Sequence, residues 1–261
     1  MKGAVYYSLA EAERNHAFIK DLQKEAENLG ICLELLTKYP AEPLDFILFR
    51  DRNPLVASEL EQAGYRLFNR STVQEIANDK LRTFELATVL GIPVVPTFRA
   101  DQQLPKVPLV LKTRGGHGGS EVFLCHSQKE IAELFSRFDQ QKLIAQPFID
   151  SDAQDVRVFM LGEEVLGAVK RAGPVDSFKS NFTLGGSVEK YSLDSAQKKQ
   201  VQTISRAIRS DYIGIDFLLP AEGGWLLNEI EDPVGARSLY ATHDFSVAEK
   251  LLHYIKERLE V

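Results

Sequence analysis

YIGIDFLLPAEGGWLLNEIEDPVG, residues 212–235, holds two apolar, β-prone runs, Ile213 to Leu219 and Trp225 to Ile230, on either side of Ala221-Glu222-Gly223-Gly224. That pattern predicts a hairpin with a four-residue turn. With such a turn Asp216 stands directly opposite Glu229, and Glu231 shares their face because side chains alternate along a strand. Like charges set opposite one another cost stability unless a cation sits among them. A hard, oxygen-seeking ion such as Mg2+ suits three carboxylates. A solvated acidic face is the competing reading of the same residues.

The chain has 261 residues, 44% hydrophobic and 26% charged, the composition of an ordinary soluble globular protein with room for a substantial core. A net charge of −6 argues against a general nucleic-acid or membrane-surface binder. Cys32 and Cys125, each in an apolar run, read as small buried thiols rather than a disulfide framework or metal cluster. MKGAVYYSLAEAERN lacks a signal peptide's long apolar core, and no run reaches the ~18 apolar residues of a membrane span, so a reducing cytoplasm is expected.

GAVYYS, ICLELL, DFILF and YRLF read as strands interleaved with helices, one from about Glu11 to Leu29 and a short one ending at Gly64. This predicts a small parallel α/β unit. Arg50 and Arg52 fall just past a strand end, where such sheets place ligand contacts, with an exposed surface arginine the competing reading of either alone. Ser71 to Gln74 is a capping-box pattern, and Asp79 to Gly91 reads as a helix opened by Lys80. The domain boundary is placed near residues 70 to 78.

VPLVLKTRGGHGGSEVFLC, residues 107–125, reads as strand, glycine loop and strand. Gly115, Gly116, His117, Gly118, Gly119 and Ser120 free backbone amides to approach an anion, and Lys112 adds a charge beside them. A strand follows where a dinucleotide fingerprint or P-loop opens a helix, so neither of those motifs is present. KLIAQPFID reads as a strand interrupted by Pro147, which leaves backbone groups free either to recognise an adenine edge or simply to lie at the edge of a sheet with nothing bound. DVRVFML and EVLGAVKRA form a hairpin with Asp155, Arg157, Lys170 and Arg171 near its open end. Arg171 and Lys179, with Asn181 among them, supply charge that can face transferring phosphate oxygens, with surface salt bridges to the local acids the competing reading.

In their order along the chain, DKLRTFELATVLGIPVVPT, LVLKTRGGHGGSEVFL, AQPFI, DVRVFMLGEEVLGAVKR, FKSN with LGG, GIDFLL and LLNEIE resemble the ATP-grasp enzymes, specifically the ribosomal-protein-S6-modification type of carboxylate–amine ligase. The resemblance covers roughly Asn69 to the end. It implies an α/β (α+β) ATP-grasp fold: an N-terminal pre-ATP-grasp domain over 1–75 and an ATP-grasp domain over 76–261, with a lid at about 100–147 and a C-terminal part at about 148–261. It further implies ATP and Mg2+, as two ions, with Mn2+ an alternative. Carried over by position, Lys80 and Lys112 contact phosphates and Gly115 to Ser120 cover them. Gln146, Pro147, Phe148 and Ile149 hold the adenine beside Asp155. Arg171, Lys179 and Asn181 line the transfer site, and Asp216, Glu229 and Glu231 bind metal. The sequence departs from the family at Pro147, usually acidic, at Lys179, usually arginine, and at Glu231, commonly asparagine. DPVGARSLY also replaces a small-residue loop.

The expected activity is amide or peptide bond formation through an acylphosphate, on small-molecule or peptide carboxylates and amines, with Arg50, Arg52 or Arg237 holding the acceptor. A small-molecule kinase on the same fold and a non-enzymatic ATP-binding module are the alternatives. Neither a nucleic-acid nor a membrane partner is expected, and the sequence does not specify an oligomeric state.

Overall fold

Strands and helices alternate at the start of the chain, which lets successive strands lie parallel with helices as crossovers. In the computed structural model, which describes residues 1–119, 121–173 and 186–260, this segment comprises β1 (Lys2–Tyr6), α1 (Leu9–Arg14), α2 (His16–Asn28), β2 (Cys32–Leu36), β3 (Phe46–Phe49), α3 (Pro54–Gln62) and β4 (Leu67–Phe68). They form a parallel sheet in the order β2-β1-β3-β4. The single helix expected from Glu11 is broken at Asn15, whose side-chain amide and backbone N–H both return to the Glu11 carbonyl, at 2.8 and 3.0 Å. Cys32, expected to be buried, is exposed, because edge strand β2 turns Leu33 inward and Cys32 outward.

α4 (Ser71–Ala77) and α5 (Lys80–Val89) follow. The Ser71–Gln74 capping box does not form. Arg70 takes the N-cap position, the Ser71 N–H donates to Glu61 at 3.1 Å, and buried Gln74 donates to Asp232 at 2.5 Å. Asp79 does cap α5, accepting from the Leu81 N–H at 3.0 Å.

β5 (Phe98–Arg99), β6 (Leu109–Thr113), β7 (Val122–Cys125), α6 (Gln128–Phe135) and β8 (Leu143–Pro147) come next, with an antiparallel sheet ordered β5-β8-β6-β7. The remaining elements are β9 (Gln154–Leu161), β10 (Glu164–Ala172), β11 (Ser187–Lys190), α7 (Ser195–Ile208), β12 (Tyr212–Leu218), β13 (Leu226–Glu231), α8 (Arg237–Thr242) and α9 (Val247–Leu259). Their antiparallel sheet is ordered β11-β10-β9-β12-β13. In its last hairpin Asp216 pairs with Glu229 and Gly214 with Glu231, as the sequence predicts. The connection is longer than four residues, however, and Phe217 pairs with Leu227, so Asn228 is the extra residue of a β-bulge.

One face of this sheet, with Val156, Val158, Ile213, Ile215 and Phe217, packs on Val201, Ile204 and Ile208 of α7. Its other face joins Phe159, Leu161 and Tyr212 to Phe46 and Phe68 of the N-terminal unit and to Leu251 and Ile255 of α9 in one core. Each side chain fully buried there contributes about 1.5–3 kcal/mol. The β5–β8 sheet keeps a separate core of Leu109, Leu111, Ile131, Leu134 and Ala145. No helix among the described residues is long and apolar enough to cross a membrane.

Candidate active site

Strand alternation explains where the charges lie. On β9, Val156 and Val158 enter the core under α7, so Asp155 and Arg157 must project from the opposite face. Register then sets the charges across the sheet: Arg157 pairs with Asp216, Asp216 with Glu229, and one row along Asp155 pairs with Arg171. The Arg157 Nε and Nη2 donate to the two Asp216 oxygens at 2.7 and 2.6 Å. Arg171 grips Asp155 in the same forked way, at 2.6 and 2.5 Å, and reaches Asp216 with a further bond at 2.8 Å. Glu231 completes the cluster through an ion pair with Arg157.

Burial would by itself raise the Asp216 carboxyl, but Arg157 and Arg171 outweigh it and hold the group at about 2. Glu231, more exposed to its acidic neighbours, is pushed up by burial against the pull of Arg157. The cluster therefore sets three carboxylates against two guanidinium groups.

Above this floor lies a cleft of about 970 Å3, counting its open mouth, roofed by the glycine loop between β6 and β7. Lys80, Lys112, Gly116, His117, Gly118, Gly119, Gln146, Pro147, Phe148, Ile149, Asp155, Arg171, Glu229 and Glu231 line it together. A Cβ on Gly116 would stand 2.1 Å from the Thr113 hydroxyl, so the loop turns there only without a side chain. The Lys112 ammonium donates to Asn228 at 2.8 Å, and that of Lys80 lies 3.5 Å from Glu229. Gln146 is held by Thr97 at 2.8 Å, while β5 covers β8 only at Ile144 and Ala145. One backbone edge of residues 146–149 is thereby left beyond the β5 ladder, facing the cleft.

Gly115 and Asp216 do not line the cleft; Asp216 sits beneath its two arginines. Ser120, Lys179 and Asn181 lie outside the described residues. The cleft also uses Arg157 and Asn228, which the sequence reading left out of the site. Arg157 stands two residues beyond Asp155, and strand alternation alone puts it on the same face. Asn228 depends on the bulge, for which the sequence carries no comparable signal.

Arg50, Arg52 and Arg237 line a second cavity, which shares His117, Gly118, Arg157, Arg171 and Glu231 with the first. The Arg50 guanidinium is buried and donates to the Tyr7 hydroxyl at 3.2 Å and the Val234 carbonyl at 2.6 Å.

Among the described residues no three acidic, histidine or cysteine side chains are grouped to hold a metal ion. The donors nevertheless suit Mg2+, which favours one or two carboxylates completed by substrate phosphates over an all-protein cage. Glu229 and Glu231 both open on the cleft, Glu231 through the carboxylate that also pairs with Arg157. Charge points the same way: Lys80, Lys112, Arg157 and Arg171 face Glu121, Asp155, Glu229 and Glu231 on the cleft wall, so a polyphosphate entering there needs its own cations.

A family model described as the RimK-like ATP-grasp domain matches residues 77–255. Among known proteins, the uncharacterized protein MG011 of Mycoplasma genitalium is 29% identical over 244 residues, 90% of this chain and 85% of that protein. The probable alpha-L-glutamate ligase 2 of Shewanella amazonensis is 28% identical over 214 residues, 77% of this chain and 71% of that protein. The solved structure of D-cycloserine synthetase DcsG matches with a TM-score of 0.77 at 17% identity, covering 99% of this chain and 100% of that one, a likeness of fold. The chain thus belongs to the RimK-like ATP-grasp family.

Proposed function

We propose that this protein is an ATP-dependent carboxylate–amine ligase. The observation that carries the proposal is the meeting of two cavities, one fit for a nucleotide and one rich in arginine, at a shared wall of Arg157, Arg171 and Glu231. In this reading the free backbone edge of residues 146–149 takes the adenine, and Lys80 and Lys112 take the phosphates beneath the glycine loop. A substrate carboxylate in the second cavity attacks the γ-phosphorus as its bond to the ADP oxygen breaks. An amine then attacks the acyl carbon and loses a proton, the bond to phosphate breaks, and an amide remains. Arg171 faces the oxygens that gain charge, with Arg157 beside it and Lys179 assigned the same task from outside the described residues. Mg2+, held by Glu229 and Glu231 with Asp216 behind them, neutralises phosphate charge when bound. Residues 1–75 serve as the N-terminal domain and 76–261 as the ATP-grasp domain. A cytoplasmic setting suits both the ATP requirement and two free cysteines.

The test is release of ADP and phosphate that requires both an acid and an amine. Glu229→Gln keeps the shape of the side chain and removes its charge, and turnover is expected to fall at least a hundredfold, about 2.7 kcal/mol. Turnover unchanged by Glu229→Gln would count against the ligase, and a stably phosphorylated product found by mass spectrometry would make the protein a kinase.

Lys112 gives the reading a pH signature. Burial, opposed by Glu229 and aided by Lys80, pulls its ammonium down to about 8. Since only the charged form attracts phosphate, kcat/KM for ATP should fall as the pH rises through about 8, and Lys112→Arg should flatten that limb. Stability runs the other way. The native state holds this proton less tightly than the unfolded chain, so Lys112 makes folding more favourable as the pH rises from about 8 to 10.5. A wild-type kcat/KM that is level between pH 7 and 9.5 would remove Lys112 from the phosphate site.

A further inference from the structure

Amide formation releases a proton from the attacking amine, and the seam between the two cavities shows what can receive it. The acylphosphate lies at that seam, because the γ-phosphoryl group comes from the cleft and the acid from the second cavity. His117, Gly118, Arg157, Arg171 and Glu231 line both spaces. Gly118 has no side chain, and guanidinium groups do not give up their protons in proteins. Glu231 is paired with Arg157 and serves Mg2+ in the ligase reading. Among the described residues that line both cavities, the imidazole of His117 is the remaining proton acceptor.

The surroundings of His117 suit that task. Residues 115–119 hold four glycines and this one histidine, so a loop of bare backbone carries a single titratable group at its centre. The side chain is exposed, within reach of an incoming amine. Arg52, Arg14 and Glu11 face it from the N-terminal unit and Lys80 faces it from α5. Partial burial first and the charge of Arg52 next, opposed by Glu11, hold the imidazole below its usual range. It is therefore neutral at pH 7 and keeps an acceptor nitrogen. Carboxylates confined to one cavity are engaged elsewhere: Glu11 takes Arg14 at 2.9 Å, and Glu121 takes the Thr113 hydroxyl at 2.5 Å.

We propose that His117 is the general base of amide formation, taking the proton of the amine nitrogen as that nitrogen bonds to the acyl carbon. The assignment rests on the ligase reading. The nitrogen lone pair makes the C–N bond while the carbonyl electrons move to oxygen, and the now positive nitrogen is acidic enough for imidazole to deprotonate it. The carbonyl re-forms, the bond to phosphate breaks, phosphate leaves with the electron pair, and the imidazolium returns its proton to water. Because the loop joins β6 to β7, the base moves with the small sheet.

Hydroxylamine separates this step from acylphosphate formation. Its nitrogen attacks the same acyl carbon but is far more acidic once bonded than an alkylamine nitrogen, so water suffices as its base. The twenty common amino acids would be offered as acids, with ATP and Mg2+, to the full chain and to His117→Ala and His117→Asn. Hydroxamate formed with hydroxylamine, and amide formed with methylamine or with the amino acids themselves, would be quantified by mass spectrometry. For an acid that gives both products, the ratio of amide to hydroxamate should fall by about a hundredfold or more in either variant. Added imidazole should raise the ratio at least about tenfold in His117→Ala and leave the wild type within about twofold, a rescue that a structural role does not predict. A ratio within about threefold of wild type in both variants, or a lowered ratio that imidazole does not raise, would overturn the proposal and leave the ligase reading intact. Hydroxamate from the wild type with no amide from any of these amines would do the same. Neither product from any acid would remove the ligase reading and this assignment with it.

Discussion

Arg157→Met is expected to lower the free energy of unfolding by about 3–5 kcal/mol, the usual result of taking one partner from a buried ion pair. The variant removes both forked bonds to Asp216 and the ion pair to Glu231 in one step. Arg171 retains one bond to Asp216 at 2.8 Å, which limits the loss without cancelling it. The measurement is the urea midpoint at constant m-value. Adding Asp216→Leu and Glu231→Leu to Arg157→Met should recover most of the loss, because apolar groups of similar volume replace a buried ion cluster at little cost. A midpoint unmoved in the single variant would mean that these carboxylates draw their counter-charge from elsewhere.

Arg171→Lys tests chemistry where Arg157→Met tests folding. Lysine keeps the charge but cannot span both Asp155 oxygens and Asp216 from one planar group. The ammonium would settle on one carboxylate and leave the face toward the γ-phosphoryl group unsupported. Removing one such electrostatic donor typically costs 10²–10³ in kcat, about 2.7–4 kcal/mol. The expected result is a kcat loss in that range with KM for ATP within about threefold, since Lys80, Lys112 and the 146–149 edge are untouched. A kcat within threefold of wild type would place Arg171 outside the transfer step.

Much of the site could be read because it rests on local regularities. The parallel N-terminal sheet follows from alternating strands and helices, and the facing of Asp216 with Glu229 follows from a hairpin and the two-residue period of a strand. What escaped the sequence depends on long-range pairing or on competition between neighbours. β9 lies beside β12, and only that pairing turns Arg157 into the partner of Asp216 and makes Asp216 part of an arginine cluster rather than a bare metal ligand. Ser71 lies inside the first turn of α4 and gives both its N–H and its hydroxyl hydrogen to Glu61, so its capping box was lost to a contact between elements. Cys32 sat in an apolar run, but edge position and strand parity turned it outward. The Asn228 bulge has no glycine or proline to announce it, yet it carries the contact to Lys112.

The separate core of the β5–β8 sheet bears on the order of events in a catalytic cycle. Its apolar interior is drawn from residues 100–145, while the N-terminal unit and the C-terminal sheet share theirs. Among the described residues, the polar ties from this sheet and its loop to the remainder include Lys112 to Asn228, Arg114 to Asp79 and Gly116 to Lys80. Swinging the small sheet outward therefore exchanges hydrogen bonds for water and unpacks no oil-like interior, a motion suited to the microsecond-to-millisecond range. The arginine cavity owes most of its walls to the two parts that share a core, so under the proposed ligase reading an acid would find its seat already shaped whichever way the small sheet stands.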